Sequence, residues 1–379
     1  MMHCLEIKPR RRVKMKEIGI SVYPTVSPIN KINEYLEKSA SLGFTRVFTS
    51  LLRFESDEFN IFKEILSTAK KYGMKPVVDV TPEVFRKLNI DVSDLRNCLK
   101  LEQFKKLGVW AIRLDDAFTG IEESLMTFNA DDLKIELNMS SINKHIDTIM
   151  SFKPNKDNLL GCHNFYPHEY TGLSRDFFRK TTQAFKQNSI PTAAFVSSTV
   201  AEECARGIEK DGIPTLEEHR NKDIGVQTKD LFREGMDAVL IANCFPSDSE
   251  LEKVSKVNRY VLELKAKLNP KITSIEKEII LDNLHLNRGD ITPYRIRSSR
   301  IREYYSDQNL IIHSPEEIKR GDLLIDSSKY LGYSGEFQIA LKDTPNNGLV
   351  NVVGRIDENE LYLLDEIEAW EKFKIIESE

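Results

Sequence analysis

Acidic side chains lie at the ends of two neighbouring apolar runs in the middle of the chain. The first run ends at Asp115 and Asp116, and the second carries Glu136 and ends at Asn138. Parallel strands that are buried on both faces are almost wholly apolar, so a carboxylate at the end of such a strand needs a special environment. In a barrel of parallel strands, the carboxyl ends form the rim where active sites are built. The pattern therefore predicts a hydrolytic pocket with Asp115 and Glu136 near its centre.

Two carboxyl groups on adjacent strands have the chemistry that glycoside cleavage requires. One group must be protonated to assist the leaving oxygen, and the other must be ionised to attack the sugar or to activate water. Backbones of adjacent strands lie about 4.8 Å apart, so Asp115 and Glu136 fit either a retaining or an inverting separation. We predict that Glu136 is the acid/base and that Asp115 is the nucleophile or stabiliser. Helix capping or a structural ion pair explains any single one of these acids equally well.

Further polar residues at predicted strand ends are candidates for substrate binding, because they face the same rim. They are Tyr23, Ser50, Asp79, Arg113, Asn138, His163, Asn164, Tyr166 and Asn243. His163 and His168 lack both the H-x-x-x-H spacing and a carboxylate partner at metal spacing, so we expect neutral hydrogen bonding and predict no metal or cofactor. A metal-dependent lyase or isomerase is an alternative that loss of activity on chelation would identify.

Arginines in two later segments are candidates for binding a phosphate. Arg220 follows the seventh predicted strand, where barrels of this kind often bind phosphate. Arg297 and Arg300 belong to an arginine-rich segment, in which Arg295 and Arg297 share one face of an extended strand. Paired guanidiniums suit a phosphate or a carboxylate because they form bidentate hydrogen bonds. A solvated loop and a charged edge strand are the alternative explanations.

Short β-branched runs alternate with longer amphipathic segments after Met15. The eight predicted strands are Ile18–Tyr23, Arg46–Leu51, Pro76–Val80, Val109–Leu114, Lys134–Leu137, Leu159–His163, Thr192–Val196 and Ala238–Ala242. The segments between them place apolar residues three and four positions apart, and Gly43, Gly73 and Gly108 close three predicted helices. This alternation predicts a (β/α)8 TIM barrel instead of an open doubly wound sheet. No G-x-G-x-x-G motif follows a strand, which further disfavours a dinucleotide-binding fold.

The character of the chain changes after the predicted helix Ser249–Leu268. Shorter, turn-separated runs follow, with alternating apolar and polar residues and without long helical patterns. They predict a small antiparallel barrel or sandwich. We therefore expect a disordered basic extension at 1–14, a catalytic barrel domain at 15–269 and a β domain at 270–379.

Composition and charge disfavour several classes of function. The formal charge of −5 offers no basic surface for nucleic acid, and no apolar run approaches the length of a membrane span. The five cysteines are scattered without C-x-x-C spacing, as in reduced cytoplasmic proteins. The amino-terminal segment lacks the apolar region of a secretory signal. We expect a cytoplasmic protein that acts on a small molecule.

A series of segments from Met15 to the carboxyl terminus resembles, in order, the motifs of the bacterial 6-phospho-N-acetylmuramidase family. The segments are GISVYP, FTSLL, DVTP, IRLDD, IELNMS, HNFYP with TGLS, GIPTLEEHR, GDITPYRIRSS, GDLLIDSSKY, YSGEFQIAL and VNVVGRI. The resemblance implies a TIM barrel followed by a cyclophilin-like β domain. It also implies cytoplasmic hydrolysis of the phosphorylated disaccharide 6-phospho-N-acetylmuramyl-β-1,4-N-acetylglucosamine during cell-wall recycling. A homodimer is compatible with these expectations.

The chain departs at three places from the pattern that the resemblance implies. Thr25 follows the first Tyr-Pro, where the pattern has an acid, and Asp116-Ala117 follow RLD, where the pattern has Tyr-Gly. His168-Glu169 follow HNFYP, where the pattern has Arg-Pro and thus an arginine beside the pocket. A 6-phosphoglycosidase of different sugar specificity is therefore an alternative. A non-catalytic sugar-phosphate binding protein is another, and it would bind its ligand unchanged. Such a binding protein would tolerate a glutamine at the position of the predicted acid, whereas an enzyme would lose turnover.

Overall fold

Eight parallel strands form a closed barrel in the first of the two compact units into which the chain divides. This computed structural model describes residues 15–52, 58–141, 144–205 and 207–378, so the extension predicted at 1–14 lies outside the described residues. The barrel confirms the predicted α/β fold class.

The first unit holds the described residues up to Phe195, together with Glu202–Glu217 and Met236–Phe245. Its barrel strands are β1 Glu17–Ser21, β2 Arg46–Ser50, β3 Lys75–Val80, β4 Ala111–Leu114, β5 Lys134–Asn138, β6 Leu159–Cys162, β7 Thr192–Val196 and β8 Ala238–Ile241. Each strand neighbours the strands before and after it, and β1 pairs with β8 to close the barrel. All the predicted strands are confirmed to within a residue or two.

Amphipathic helices connect the barrel strands. They are α1 Ile29–Ser41, α2 Phe59–Lys71, α3 Pro82–Lys87, α4 Glu102–Leu107, α5 Ile121–Met126, α6 His145–Ser151 and α7 Arg175–Gln187. Helix α1 buries Ile32, Tyr35, Leu36 and Ser39, three and four positions apart, as a helix with one apolar face does. Gly43 follows its end with φ of 84°, a conformation that glycine adopts without steric strain.

A mostly antiparallel, nearly closed barrel-like sheet of seven strands dominates the second unit. Its strands are β9 Leu262–Leu268, β10 His285–Leu286, β11 Arg295–Arg297, β12 Asp322–Asp326, β13 Phe337–Ala340, β14 Val350–Ile356 and β15 Lys372–Glu377, in the order β10-β15-β9-β14-β12-β13-β11. The helices of this unit are α8 Ile224–Arg233, α9 Asp248–Lys256, α10 Ser274–Leu281 and α11 Ile301–Tyr305. Within the described ranges, every helix is too short or too polar to span a lipid bilayer.

The predicted helix Ser249–Leu268 is wrong in its second half. Helix α9 ends at Lys256, and Leu262–Leu268 form strand β9. The residues of the segment LELKAKL are good helix formers. Alternate residues of this segment are nevertheless buried in the core of the second sheet, namely Leu262, Leu264 and Ala266. Burial of one face of a strand therefore overrides the helix propensity. Residues that the sequence assigned to the barrel domain thus contribute a strand to the other sheet.

A buried ion pair stabilises the second unit, and its loss is predicted to be costly. Lys229 Nζ lies 2.5 Å from Glu360 Oε1, and the side chains are 9% and 3% exposed. Lys229→Met is expected to lower the free energy of unfolding by roughly 3–5 kcal/mol, because Glu360 is left buried without its counter-charge. Urea unfolding of the full chain measures the change.

The matched control for this prediction is Lys253→Met. The ion pair of Lys253 with Asp223 is much more accessible, at 45% and 32% exposure. Loss of such a pair changes stability by about 1 kcal/mol or less. Equal losses in the two variants would contradict the role assigned to burial.

Candidate active site

Three charged residues on adjacent barrel strands stand in one row, because the strand register aligns them. Asp79 of β3 lies opposite Arg113 of β4, and Arg113 lies opposite Glu136 of β5. Residues in register on neighbouring strands project to the same side of the sheet. The three residues are 6%, 3% and 1% exposed. Buried charges of this kind must be compensated by one another.

Arg113 holds two acids and an amide at the same time. Its Nη1 donates to Asp79 Oδ1 at 2.6 Å and to Asp115 Oδ1 at 3.1 Å. Its Nη2 donates to the side-chain oxygen of Asn164, which follows β6. A guanidinium presents its donors in a rigid plane. Arg113 therefore brings these three predicted residues together at the carboxyl ends of their strands.

Asp79 is held close to neutrality by its surroundings. Burial raises the pKa of its carboxyl group from 3.8 to about 7, against the opposing effect of Arg113 and with a further increase from Asp115. At neutral pH a substantial fraction of Asp79 is therefore protonated, whereas an exposed aspartic acid is ionised. A carboxyl group with this pKa is able to donate a proton at neutral pH.

The predicted pairing of Asp115 with Glu136 disagrees with the observed register. Because Glu136 lies opposite Arg113, Asp115 stands two residues further along its strand. The Glu136 carboxylate instead forms an ion pair with Arg46, the first residue of β2, whose side chain is 4% exposed. The Glu136 carboxylate is thus paired with a buried arginine, whereas Asp79 and Asp115 are the acids that share Arg113. The role of acid/base for Glu136 stays a prediction.

Arg46 was not among the predicted site residues, although its side chain is buried and 4% exposed. A glycine on β1 leaves room for it, because a Cβ atom added to Gly19 would lie 2.9 Å from the Arg46 Cβ. The available signal was an arginine at the start of the apolar run RVFTS. A buried charge requires a buried counter-charge, so an arginine in such a run is a sign of an interior acid.

His163 is a neutral residue whose hydrogen bonds help to fix Asn164 at the rim. Burial lowers its pKa to about 3, so the ring is uncharged. Its Nε2 bonds Thr182 Oγ1 at 2.9 Å, and its Nδ1 bonds Ser140 Oγ at 3.2 Å. Ser140 Oγ in turn accepts the backbone N–H of Asn164 at 2.8 Å. This chain fixes the residue that binds Arg113, and neither hydroxyl residue had a sequence signal of its own.

Asp115 is more accessible than Asp79, with a side chain that is 33% exposed. Asn138 Nδ2 donates to the backbone oxygen of Asp115 at 3.2 Å, which fixes the end of the strand. A cavity of about 370 Å³ opens beside Asp115, and Asn138, His145 and Lys180 are among its lining residues. Small-molecule sites typically enclose roughly 300–1,000 Å³. The cavity is within this range, and it is lined by Asp115 but not by Asp79 or Arg113.

The remaining predicted substrate-binding residues differ in accessibility. Tyr23 is 1% exposed and donates its hydroxyl to a backbone oxygen at 2.5 Å, and Asn243 is also 1% exposed. Ser50 is half-buried, and its Oγ accepts a backbone N–H at 3.3 Å. Tyr166 is half-buried, and burial raises the pKa of its hydroxyl. Ser50 and Tyr166 are therefore better placed to contact a ligand than the two fully buried residues.

The three predicted phosphate-binding arginines all belong to the second unit. Arg220 is 9% exposed. Arg297 Nε donates to Glu336 Oε1 at 2.7 Å. The side chain of Arg300 is 74% exposed, and its Nε lies 3.4 Å from Glu303 Oε2. Their role in binding phosphate stays a prediction.

Glu218, His219 and Asp230 form a group that resembles a metal site in its ligand types. Their ligand atoms lie within 4.8 Å of one another. His219 Nε2 lies 2.8 Å from Asp230 Oδ2, and Arg233 Nη2 donates to Asp230 Oδ1 at 3.1 Å. Because Arg233 already supplies a positive charge to this carboxylate, the group fits a buried ion-pair network better than a cation site.

Comparisons with known proteins match almost the whole chain. A family profile described as 6-phospho-N-acetylmuramidase, N-terminal, matches residues 18–256, and one described as 6-phospho-N-acetylmuramidase, C-terminal, matches residues 262–376. The crystal structure of an uncharacterized B. cereus protein is 41% identical with a TM-score of 0.86, over 96% of this chain and 99% of that chain. The crystal structure of a conserved Enterococcus faecalis protein with an unknown function is 26% identical with a TM-score of 0.65, over 96% of this chain and 96% of that chain. No curated protein matched the chain.

Proposed function

Since the chain belongs to the 6-phospho-N-acetylmuramidase family and is a glycosidase, we propose that it hydrolyses 6-phospho-N-acetylmuramyl-β-1,4-N-acetylglucosamine. We propose further that Asp79 and Asp115 are the two carboxyl groups of the reaction. The observation that supports this assignment is the sharing of Arg113, because one guanidinium nitrogen contacts both acids. One acid is buried and close to neutral, and the other is accessible.

The shared nitrogen also limits the distance between the two acids. Oxygens that lie 2.6 and 3.1 Å from one atom are less than about 6 Å apart. Retaining glycosidases hold their carboxyl groups roughly 5–5.5 Å apart, and inverting enzymes hold them roughly 6.5–9.5 Å apart. The short separation favours retention, with Asp79 as acid/base and Asp115 as nucleophile.

In the proposed reaction, Asp79 transfers its proton to the glycosidic oxygen as the bond from that oxygen to the anomeric carbon breaks. The Asp115 carboxylate attacks the anomeric carbon and forms a glycosyl ester. Asp79, now ionised, removes a proton from water, and the water oxygen displaces Asp115 from the sugar. Arg113 stabilises the carboxylate that Asp79 becomes, because its Nη1 lies 2.6 Å from Oδ1.

The substrate has two requirements besides the reacting bond, namely space for a ring and positive charge for the phosphate. The cavity that Asp115 lines has the volume for one ring, and Lys180 in its lining adds one positive charge. Arg220, Arg297 and Arg300 remain the candidates for binding the phosphate. Action in cell-wall recycling, a cytoplasmic location and a homodimer are parts of the same proposal.

Product analysis tests the proposed substrate. The purified full chain is incubated with the 6-phosphorylated disaccharide and, in parallel, with the unphosphorylated one, and products are identified by mass spectrometry. We expect release of N-acetylglucosamine from the phosphorylated form only, and the β-anomer as the first phosphosugar product in NMR spectra. Cleavage of another 6-phosphoglycoside instead would assign a different sugar specificity. Cleavage of neither disaccharide by a folded protein would contradict the proposal.

A further inference from the structure

A second cavity of about 370 Å³ lies within the second unit, against one face of the sheet formed by β11, β12 and β13. Arg295 and Arg297 of β11, Asp326 of β12 and Gln338 of β13 all line it. The two arginines thus share one strand face, as their spacing predicts. Of the residues given a role in the proposed hydrolysis, Arg297 alone lines this cavity. Arg295 and Asp326 carry the inference drawn for this cavity, and that reaction does not use them.

Asp326 presents an unsatisfied acceptor in this cavity. The residue is 1% exposed, and its Oδ2 accepts a hydrogen bond from Gln338 Nε2 at 3.0 Å. Its Oδ1 is buried without a hydrogen-bond partner among the described residues. Buried polar atoms are nearly always hydrogen-bonded, because an unsatisfied one loses its hydration without compensation. A ligand hydroxyl that donates to Oδ1 would supply the missing contact.

Arg295 presents a positive charge that forms no ion pair with the described residues. Its Nη1 donates to the backbone oxygen of Tyr294 at 2.9 Å, and its Nη2 donates to the hydroxyl of Thr344. In the part of the chain that the structure describes, no carboxylate lies within ion-pair distance of this guanidinium. Burial lowers its pKa, which is the expected effect of a charge that is incompletely compensated. An anionic group of a ligand would compensate it.

Hydrogen-bonded charged side chains and two aromatic rings form part of the cavity wall. Glu336, which is 2% exposed, accepts from Arg297 Nε at 2.7 Å and from Arg302 Nη1 at 2.9 Å. These two bonds hold Arg297 against the sheet. Tyr330 and Tyr333 line the same cavity with ring centroids 5.3 Å apart. The negative face of such a ring attracts the weakly positive C–H groups of a sugar.

From this combination we infer that the second unit carries its own binding site for an anionic monosaccharide, a sugar ring that bears one phosphate or carboxylate group. The anionic group contacts Arg295, a ring hydroxyl donates to Asp326 Oδ1, and the ring lies against Tyr330 or Tyr333. The volume is at the small end of the roughly 300–1,000 Å³ of small-molecule sites, which suits a single ring better than a disaccharide.

Isothermal titration calorimetry on the full chain tests this inference with four probes. They are N-acetylglucosamine 6-phosphate, glucuronic acid, uncharged N-acetylglucosamine and inorganic phosphate. We expect an anionic sugar to bind. The uncharged sugar and inorganic phosphate are each expected to bind more weakly, by roughly tenfold or more. The stronger of the two anionic sugars identifies phosphate or carboxylate as the preferred group.

Variants locate the binding to this cavity. Asp326→Asn and Arg295→Met are each expected to weaken binding of the anionic sugar by roughly tenfold or more. Lys374→Met removes a positive charge from an exposed position of β15 and is expected to leave binding unchanged. Absence of binding at millimolar sugar would overturn the inference, and so would equal binding by all three variants. Phosphate binding as tight as that of the phosphosugar would reduce the site to an anion site and contradict the sugar contact.

The inference is separable from the proposed hydrolysis. Asp115→Asn changes only the barrel, so it is expected to abolish turnover while sugar binding in the second unit persists. Binding that disappears together with turnover in this variant would place the sugar in the barrel and overturn the inference.

Discussion

Asp79→Asn is expected to lower kcat for the phosphorylated disaccharide by roughly 10²–10⁴-fold, the usual contribution of a positioned general acid. Asparagine has nearly the same size as aspartic acid and still accepts a hydrogen bond from Arg113, so the fold is expected to persist. The variant has no proton to give to the leaving oxygen. Steady-state kinetics measure the loss, and thermal unfolding verifies that the variant is folded.

A substrate with a good leaving group distinguishes the roles of the two acids. The 4-nitrophenyl glycoside of the same phosphosugar needs no protonation of its leaving oxygen, so it is expected to restore most of the turnover of Asp79→Asn. Asp115→Asn is expected to lose roughly 10³-fold or more on both substrates, because the group that meets the developing charge is gone. Equal losses for the two substrates in Asp79→Asn would contradict its role as the acid.

Asp132→Asn is the matched control for these two substitutions. Asp132 precedes β5 at the opposite end of the barrel and has a φ of 56°, a conformation that asparagine adopts readily. Asp132 is exposed. The turnover of the Asp132→Asn variant is expected to equal that of the unaltered chain on both substrates.

The pH dependence of turnover provides a further test of the role of Asp79 as the acid. Its pKa in the folded chain is raised from 3.8 to about 7, so the proton-donating form is present below that pH and is lost above it. We expect kcat/KM for the disaccharide to fall about tenfold for each pH unit above the pKa, because kcat/KM reports the ionisation of the free enzyme. The nitrophenyl glycoside is expected to lack this decline. Turnover of the disaccharide that stays constant well into the alkaline range would exclude Asp79 as the acid.

Glu136→Gln is expected to lower the free energy of unfolding by roughly 3–5 kcal/mol, because a buried ion pair loses one partner. The remaining partner, Arg46, is 4% exposed, and its Nε has no hydrogen-bond partner among the described residues. Its charge would therefore stay buried and poorly compensated. Urea unfolding at constant pH measures the loss.

The double variant Arg46→Met/Glu136→Leu separates stability from catalysis. Replacement of both members of a buried pair by apolar side chains is often neutral, or stabilising by roughly 1–4 kcal/mol. We therefore expect this variant to be at least as stable as the unaltered chain and to retain turnover. A stable double variant without turnover would return Glu136 to the role of acid/base that its position in the sequence first indicated.

The barrel was predictable because local patterns mark its elements. Each strand is a short apolar run, and each large helix has apolar residues three and four positions apart. These features depend on residues close together in the chain, so the sequence contains them directly. Strand β9 is the exception. The segment LELKAKL consists of residues that favour helices, but it also alternates apolar and polar residues as a strand does. The neighbouring strands β14 and β15, which are distant in the chain, decide between the two.

The residue types and the predicted strand ends were likewise enough to predict polar groups at the rim. They were not enough to predict which of these groups contact one another. Asp115 and Glu136 are on adjacent strands, yet a stagger of two residues aligns Glu136 with Arg113 and leaves Asp115 beyond it. Register is set by how the whole barrel closes, so a single strand does not reveal it. Asp79 acquires its raised pKa from burial and from Asp115, a residue on another strand. The chemistry of the rim is therefore encoded in residue types, whereas the assignment of the acid depends on contacts that form only when distant strands are packed together.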